Sequence, residues 1–535
     1  MTMEPTRLVE ELTRPGAYPH PVRDIDVIQT HISIVFLAGD FVYKVKKAVD
    51  FGFLDFTTLD RREHYCHEEI RLNRRLAPDV YLGVVAIVEA EGRLRFDVEG
   101  RPDAVPVEWA VRMRRLDEEL TLAAWLDDGS LRPYHVAVIG RRVADFHAGA
   151  ERGAEVARWA DVATVAGNAR ENLDQALPYF GQTLTPTLHR RLSGAFDREL
   201  ERLGPLIARR AENGIPCDTH GDLHLDHVYV FPDRDPPDDL VIIDCIEFNE
   251  RFRFADPVAD VAFLDMDLRY RGAPELAGVL DDAYFEAAGD AEGRALLMFY
   301  SAYRAAVRAK VEGIRAAEPE VPQEERARAR EAARAYWLLG LGLLEPPSLR
   351  PCLVLVGGLP GTGKSTLAKS LSARAGLEAF SSDVTRKRLG GLRPEESAAA
   401  AFEAGIYTPE RTRRTYRTML EEAETRLLDG GRVLVDASFR EDARRADFLT
   451  LAARLRIPAV FLQLEAPAER VRARIASRGG GPSDADADIY EAAAARWEPA
   501  SKLSAPRTRH VDTGQSAVWS LEQSVAHLRD LGVLV

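Results

Sequence analysis

The segment Gly358–Ser365 constrains the fold of this chain more than any other part of its sequence. It matches the pattern G-x-x-x-x-G-K-S/T, follows an apolar run at Cys352–Val356, and precedes a helical pattern from Thr366 to about Ala375. Glycines permit positive φ angles, which let successive backbone N–H groups surround a phosphate. The segment therefore predicts a strand, a nucleotide-phosphate loop and a helix, in that order.

The side chains of this loop supply the predicted contacts to ATP and Mg²⁺. Lys364 is expected to reach the β- and γ-phosphates, and the Ser365 hydroxyl is expected to bind the metal ion. The other residues predicted to bind the nucleotide here are Gly358, Gly361, Thr362, Gly363 and Thr366.

Two carboxylates follow strand-like runs further along the chain. Asp436 ends the apolar run Arg432–Val435, where a second Mg²⁺ ligand belongs, although a strand-end Asp can also cap the next helix. Asp383 follows the run Ala379–Ser382 and is predicted to accept the proton of an acceptor hydroxyl. A helix N-cap is the alternative for Asp383.

Three arginines recur every four residues after Pro467, so they share one face of a predicted helix. They are Arg470, Arg474 and Arg478. Such a face can close over phosphates and neutralise charge in the transition state, so Arg474 and Arg478 are predicted to be catalytic. A solvated surface stripe is the alternative.

The chain has 535 residues, which is too long for one hydrophobic core. The clearest signal of a domain boundary is the segment Glu345–Pro351, which contains three prolines and cannot continue a helix. We therefore predict one domain at 1–345, with a core at about 25–310 and then a connecting helix, and a second domain at 346–535.

Strand-like runs open the N-terminal part, and helical patterns follow from Leu120 to Leu203. The predicted strands are Ile32–Leu37, Phe41–Val45, Tyr81–Val88 and Val107–Met113. This order predicts an α+β domain with a small sheet lobe and a larger helical lobe. After the proline-rich segment Glu345–Pro351, helical stretches separate three apolar runs, at Cys352–Val356, Arg432–Val435 and Ala459–Leu464. Such alternation predicts an α/β domain of the P-loop NTPase type with a parallel sheet.

The net charge of −14 disfavours nucleic acid as a partner, because sequence-independent binding needs a basic surface. No apolar run is long enough for a membrane span, and Met1–Glu11 has no apolar secretory segment. The four cysteines lack paired spacing, which argues against disulfides and a zinc site. We therefore expect a cytoplasmic protein with no membrane partner. The oligomeric state is not specified by the sequence.

A second set of charged residues lies in the N-terminal half. Asp222 stands in the segment Thr219–His227, and Asp244 ends the next apolar run. Kinase-like phosphotransferases place a catalytic base and a metal ligand in this way. Lys44 on a predicted strand is expected to pair with the ATP phosphates, and Glu69 on the following helix is expected to fix that lysine.

The C-terminal part resembles the small P-loop kinases, a group with gluconate-kinase-like, polynucleotide-kinase-like and zeta-toxin-like members that is often grouped with AAA-family ATPases. The matching segments are Val354–Ser370, Ser382–Leu389, Val435–Phe439 and Arg474–Ala485. The resemblance covers about residues 351–535. It implies phosphorylation of a hydroxyl on a small molecule or on a nucleic-acid end.

The N-terminal part resembles the aminoglycoside phosphotransferase and choline kinase group over about residues 25–310. Besides the four charged residues above, the matching positions are Thr30–Ser33, Asp50–Asp55, Phe248, Asn249, Asp256 and Asp260. The order of the two halves resembles a bacterial two-domain family that joins this module to the P-loop kinase. The resemblance implies that Asp222 is the base and Asp244 a Mg²⁺ ligand.

One position departs from that family, which has Asn where this chain has His227. We predict His227 as a metal ligand, although imidazole nitrogen suits Mg²⁺ less well than an amide oxygen does. Use of one metal ion, use of Asp226 instead, or weak catalysis are the alternatives. A transition-metal site at His220, His224 and His227 is disfavoured, because the first two match the family's loop and no cysteine joins them.

These observations predict an ATP-dependent phosphotransferase for hydroxyl groups of small molecules, with two ATP sites and Mg²⁺. In a second interpretation the N-terminal domain is a non-catalytic substrate-binding or regulatory module. In a third, the P-loop domain acts on nucleic-acid ends through Arg386–Arg388 and Arg411–Arg414. The acceptor itself is not predicted, because variable helices and loops build such pockets.

Overall fold

The computed structural model describes residues 3–52, 54–100, 105–319, 321–393, 408–476 and 487–535. The chain forms two compact units. The first, called the N-terminal unit, consists of residues 1–165 and 203–300, and the second consists of residues 166–202 and 301–535. The predicted domain boundary between residues 345 and 346 stays a prediction. Among the described helices, none is long and apolar enough to cross a membrane.

The N-terminal unit begins with an antiparallel sheet. Its strands are β1 (Ile25–Gln29), β2 (Ser33–Ala38), β3 (Phe41–Lys46), β4 (Tyr81–Ala90), β5 (Arg93–Asp97) and β6 (Pro106–Arg114), in the order β1-β2-β3-β6-β4-β5. Ile34 and Phe36 of β2 are buried with Tyr43 and Val45 of β3, because residues two apart share a face. The four strands predicted here are confirmed, and β1 and β5 were not predicted.

Helix α1 (Pro5–Leu12) precedes this sheet, and α2 (Leu59–Asn73) lies between β3 and β4. Helix α2 begins after Thr58, whose side chain accepts a hydrogen bond from the backbone N–H of Arg61. Its buried face places Cys66 and Ile70 in one core with Val111 of β6. The same helix carries Glu69, so this packing fixes the position of that carboxylate against the sheet.

The next elements are α3 (Leu122–Asp127), α4 (Pro133–Gly149), α5 (Ala154–Ala157), α6 (Val162–Asp174), α7 (Pro186–Glu212), β7 (Cys217–Asp218), β8 (Val228–Val230), β9 (Leu240–Ile242), α8 (Glu250–Arg253), β10 (Phe254–Ala255), α9 (Val258–Tyr270) and α10 (Pro274–Ala288). Strands β8 and β9 pair antiparallel. Gly140 lets α4 approach α10 closely, because a Cβ there would lie 2.9 Å from the carbonyl oxygen of Leu280.

The remaining elements are α11 (Leu297–Ala317), α12 (Gln323–Leu344), β11 (Cys352–Gly358), α13 (Lys364–Ala375), β12 (Glu378–Ser381), α14 (Ser382–Leu389), α15 (Pro409–Leu428), β13 (Arg432–Asp436), α16 (Asp442–Arg454), β14 (Ala459–Glu465), α17 (Ala468–Ala476), α18 (Ala487–Ala495), β15 (Thr508–Asp512) and α19 (Ala517–Asp530). The strands form one parallel sheet in the order β12-β13-β11-β14-β15, which confirms the predicted parallel α/β domain. Strand β11 is central and buried throughout, as a strand covered on both faces must be.

Candidate functional site

The phosphate loop begins where β11 ends. Gly358 adopts a φ of 150°, and a Cβ there would lie 2.7 Å from the carbonyl oxygen of Leu464. Gly361 and Gly363 adopt φ angles of 78° and 92°, which favour glycine. Helix α13 begins directly afterwards at Lys364. The chain thus turns from strand to helix within the segment that the sequence identified.

Two side chains of the loop contact the carbonyl oxygen of Leu359. The Lys364 ammonium donates a hydrogen bond to it at 2.9 Å, and the Thr362 hydroxyl does so at 2.7 Å. Thr362 is buried, whereas Thr366 is exposed in the first turn of α13. The lysine is therefore held over the loop, and its ammonium group lies beside the backbone predicted to surround a phosphate.

Asp436 lies at the end of β13, next to the loop. Asp436 pairs with Val356 of β11 in the sheet, and its side chain is buried. Burial raises the pKa of Asp436, while the nearby Lys364 charge and the Ser365 hydroxyl lower it in part. The cap of α16 is Glu441, so Asp436 does not cap that helix. A hydroxyl and a carboxylate are the oxygen ligands that Mg²⁺ prefers, so Ser365 and Asp436 fit this ion.

Asp383 lies in the first turn of α14. The N-cap of this helix is Ser381, so Asp383 is not the cap. Its carboxylate is 3.1 Å from the ammonium of Lys387, which is buried. The charge of Asp383 also raises the pKa of Asp436, so the two carboxylates interact electrostatically. The role of Asp383 as the base stays a prediction.

Two of the three arginines predicted to share a helix face lie on α17. Arg474 lies on α17 and donates a hydrogen bond to the carbonyl oxygen of Thr513 at 2.6 Å. Arg470 is exposed on the same helix, and Arg478 lies outside the described residues. The catalytic role of Arg474 and Arg478 stays a prediction.

Sequence reasoning missed a buried tyrosine that supports the loop. The Tyr416 hydroxyl on α15 accepts a hydrogen bond from the Phe439 backbone N–H at 3.1 Å and lies 3.3 Å from the Ser438 hydroxyl. The carbonyl oxygen of Ser438 in turn accepts from Gly358 N–H at 3.1 Å. Tyr416 thus helps to position the chain after β13 against the start of the phosphate loop. Nothing in its local sequence indicates this role.

The N-terminal unit brings three predicted residues together. The Lys44 ammonium is 2.9 Å from a Glu69 carboxylate oxygen and 2.7 Å from Asp244 Oδ1. Asp244 adopts a φ of 64°, and its backbone N–H donates to the Tyr81 hydroxyl at 3.1 Å. Burial alone would raise the pKa of Asp244, but the Lys44 ammonium together with His227 and His220 lowers this pKa below its ordinary value.

A second lysine, Lys46, extends this network into the interior. Its ammonium is 2.6 Å from Glu69 Oε2 and also contacts the Glu247 carboxylate. Lys46 is 1% exposed, and burial raises the pKa of Glu247. Lys44 and Lys46 are two residues apart on β3 and therefore share a face, and no local sequence signal identifies Glu247 as a partner of Lys46. Lys44 is the more accessible of the two lysines, which supports our choice of it for the phosphates.

Asp260 shapes the loop that carries Asp222. Its carboxylate accepts hydrogen bonds from the backbone N–H groups of His220 at 2.6 Å and Gly221 at 2.9 Å. His147 Nε2 lies 3.2 Å from the same carboxylate. Burial lowers the pKa of His220 to about 4, so this imidazole is neutral at ordinary pH. The loop is therefore anchored to α9 by two of its backbone N–H groups.

His227 lies between the predicted base Asp222 and the predicted metal ligand Asp244. Its Nδ1 is 2.8 Å from the carbonyl oxygen of Asp222, and its Nε2 is 3.6 Å from Asp244 Oδ2. Asp222 Oδ2 is 3.7 Å from Nε2 of His224. Asp226, the alternative ligand, is instead paired with Arg271 at 3.2 Å. An imidazole nitrogen therefore faces Asp244, and this donor set does not fit Mg²⁺ as Ser365 and Asp436 do.

The parallel sheet and the phosphate loop after its central strand define a P-loop, kinase-like α/β domain in the C-terminal part of the chain. The model of the family described as "AAA domain" matches residues 353–500. The uncharacterized proteins Rv2004c of Mycobacterium tuberculosis (strain H37Rv) and Mb2027c of Mycobacterium bovis are each 32% identical to this chain over 507 residues, which is 94% of this chain and 97% of each relative. The chain belongs to the same family as these mycobacterial proteins.

Solved structures that match the chain include an unliganded sugar kinase from a Janibacter species and a gluconokinase from Sinorhizobium meliloti. The first is 22% identical, with 34% of this chain and 98% of that chain covered and a TM-score of 0.28. The second is 18% identical, with 34% and 94% covered and a TM-score of 0.26.

Proposed function

We propose that this chain is an ATP-dependent phosphotransferase whose C-terminal donor site transfers phosphate to a hydroxyl group of a small molecule. The observation that carries the proposal is the position of buried Asp436 at the end of β13, paired with β11, whose phosphate loop leads to Lys364 and Ser365. A lysine on the loop, with a hydroxyl and a carboxylate beside it, is the arrangement that binds a nucleoside triphosphate.

Each group has a role in the proposed transfer. The loop backbone and Lys364 bind the β- and γ-phosphates, while Ser365 and Asp436 would hold Mg²⁺, which would supply positive charge to stabilise the transferred phosphate. The acceptor oxygen forms a bond to the γ-phosphorus as the bond from that phosphorus to the ADP oxygen breaks. Asp383 takes the proton of the acceptor hydroxyl, so the products are a phosphate ester and ADP.

The N-terminal unit is proposed as a second phosphotransfer site. The ion pair of Lys44 with Glu69, and the position of Asp244 beside that lysine, support this proposal. Asp222 is the proposed base for its acceptor. His227 makes the donor set of this site a poor fit for Mg²⁺.

A second candidate function follows from the same histidine. If the nitrogen of His227 prevents productive binding of Mg-ATP, the N-terminal unit is a binding module that serves the P-loop domain. Activity on nucleic-acid ends finds less support, because two of the basic residues after Asp383 are engaged within the domain. Lys387 pairs with Asp383, and Arg388 pairs with Glu422.

The test is ADP formation by the full chain across a library of small hydroxyl metabolites. We expect Lys364→Ala to abolish turnover by the P-loop domain and Asp222→Ala to leave that turnover intact. Lys369→Ala, which changes an exposed lysine on the same helix α13, is the matched control and should behave like the wild type.

Activity that remains in Lys364→Ala, and disappears when Asp222→Ala is added to it, would assign a second active site to the N-terminal unit. No residual activity in Lys364→Ala would favour the binding-module interpretation. Wild-type protein that neither binds nor turns over ATP with any acceptor would contradict the proposal as a whole.

A further inference from the structure

The hydrogen bond at Nδ1 determines the tautomer of His227. A carbonyl oxygen can only accept, so the contact of 2.8 Å to the carbonyl oxygen of Asp222 requires that Nδ1 carry the proton. The lone pair therefore lies on Nε2, which is the nitrogen closer to Asp244. Histidines that bind metal ions are usually oriented by such a bond from their other ring nitrogen to a carbonyl or carboxylate.

The distance from Nε2 to Asp244 is informative as well. At 3.6 Å, His227 Nε2 and Asp244 Oδ2 are too far apart for a hydrogen bond, and two acceptors gain nothing from each other directly. Two ligands that each lie about 2.1 Å from one ion at a tetrahedral angle are about 3.4 Å apart. The observed separation is close to that value.

The other oxygen of Asp244 is already engaged. Oδ1 lies 2.7 Å from the Lys44 ammonium, so Oδ2 is the oxygen left to face the imidazole. One ligand atom from each of Asp222, His224 and His227 also lies within 4.8 Å of the others. Imidazole and carboxylate groups are therefore concentrated around His227.

We infer that His227 Nε2 and Asp244 Oδ2 bind a divalent cation that accepts nitrogen ligands, of the Mn²⁺, Co²⁺ or Zn²⁺ kind, in preference to Mg²⁺. Imidazole suits first-row transition metals, whereas Mg²⁺ binds oxygen and keeps much of its water. The inference deepens the proposed function, and rests on it for the idea that the cation lies beside a bound nucleotide. The P-loop site, with oxygen donors at Ser365 and Asp436, keeps the Mg²⁺ preference.

The experiment uses the full chain without nucleotide, with Mn²⁺ and Mg²⁺ as probes. Calorimetric titration gives the affinity for each ion, and pulsed electron paramagnetic resonance of the Mn²⁺-loaded chain detects imidazole nitrogen bound to the ion. The test variant is His227→Asn, which supplies the amide that the related kinases have. The matched control is His67→Asn, which changes an exposed imidazole on α2.

We expect an imidazole nitrogen coupling in the wild type and in His67→Asn, and its loss in His227→Asn. The preference for Mn²⁺ over Mg²⁺ should fall about tenfold or more in His227→Asn. The P-loop site cannot produce the nitrogen coupling, because its predicted ligands are oxygens. A wild-type chain that binds Mn²⁺ without nitrogen coupling would overturn the inference, even if the variant fails to fold.

The inference and the proposed function can fail separately. Turnover of ATP by Lys364→Ala, without nitrogen coupling in the Mn²⁺-loaded wild type, would leave the second phosphotransfer site standing and remove the metal assignment. Nitrogen coupling lost in His227→Asn, in a chain whose N-terminal unit transfers no phosphate, would keep the metal site and remove the function.

Discussion

Replacing Lys46 by methionine tests whether the interior network of the N-terminal unit is an interdependent ion cluster. Lys46 is 1% exposed and contacts both Glu69 and Glu247. Without it, Glu69 retains Lys44 at 2.9 Å, but Glu247 loses its ion-pair partner. Removing one partner of a buried ion pair costs about 3–5 kcal/mol, so we expect Lys46→Met to destabilise this unit by that amount.

The cost should depend on pH in a definite direction. Burial already raises the pKa of Glu247, and loss of the Lys46 ammonium raises it further. A carboxyl group whose pKa is raised on folding favours the folded state below its unfolded pKa and loses that contribution as pH rises through the folded pKa. We therefore expect Lys46→Met to cost less at about pH 5 than at about pH 8.

Hydrogen-exchange mass spectrometry on peptides from β3 and α2 measures the unfolding free energy of this region. The double variant Lys46→Met with Glu247→Met should recover about 1–4 kcal/mol of the loss, because it leaves no buried charge without a partner. Lys47→Met, at a half-buried neighbouring position, should cost less than about 1 kcal/mol. Equal costs at both pH values, with no recovery in the double variant, would refute this reasoning.

Three further predictions concern other parts of the chain. Gly357→Ala should lower the stability of the P-loop domain by about 1–3 kcal/mol in thermal unfolding, because the added Cβ would collide with the Phe461 ring; an unchanged Tm would contradict this. Burial and the neighbouring Asp265 raise the pKa of Asp281 to about 8, so wild-type Tm should fall as pH rises through that value. Asp281→Asn should flatten this fall, and an equally steep fall would count against it. Asp436→Asn should lower the Mg²⁺ affinity seen in ADP formation about 10- to 100-fold, and an unchanged Mg²⁺ dependence would remove Asp436 from the site.

The parts of the site that depend on local pattern could be predicted from the sequence. The phosphate loop from Gly358 to Ser365 needs glycines at fixed spacing between a strand and a helix, and the structure has that order. Lys44, Glu69 and Asp244 could be proposed together because a known arrangement fixes their order along the chain. Their meeting in space is a matter of tertiary packing that the pattern only implies.

The parts that depend on distant partners could not be predicted. Lys46 and Glu247 are 201 residues apart, and neither has a local signal that identifies the other. Tyr416 is one aromatic residue on an amphipathic helix, a pattern that equally fits ordinary core packing. The edge strand β15 was missed because Thr508–Asp512 is mostly polar and only Val511 is deeply buried.

The backbone at Asp244 limits which substitutions can be interpreted there. Its φ of 64° lies in the left-handed region, which Gly, Asn and Asp adopt far more readily than other residues, and β-branched residues hardly at all. Asp244→Asn should therefore keep the backbone and remove only the charge. Asp244→Val would also force the chain out of this conformation and disturb the N–H contact with Tyr81. Only the first of these variants separates the chemistry of the carboxylate from the shape of the turn that presents it.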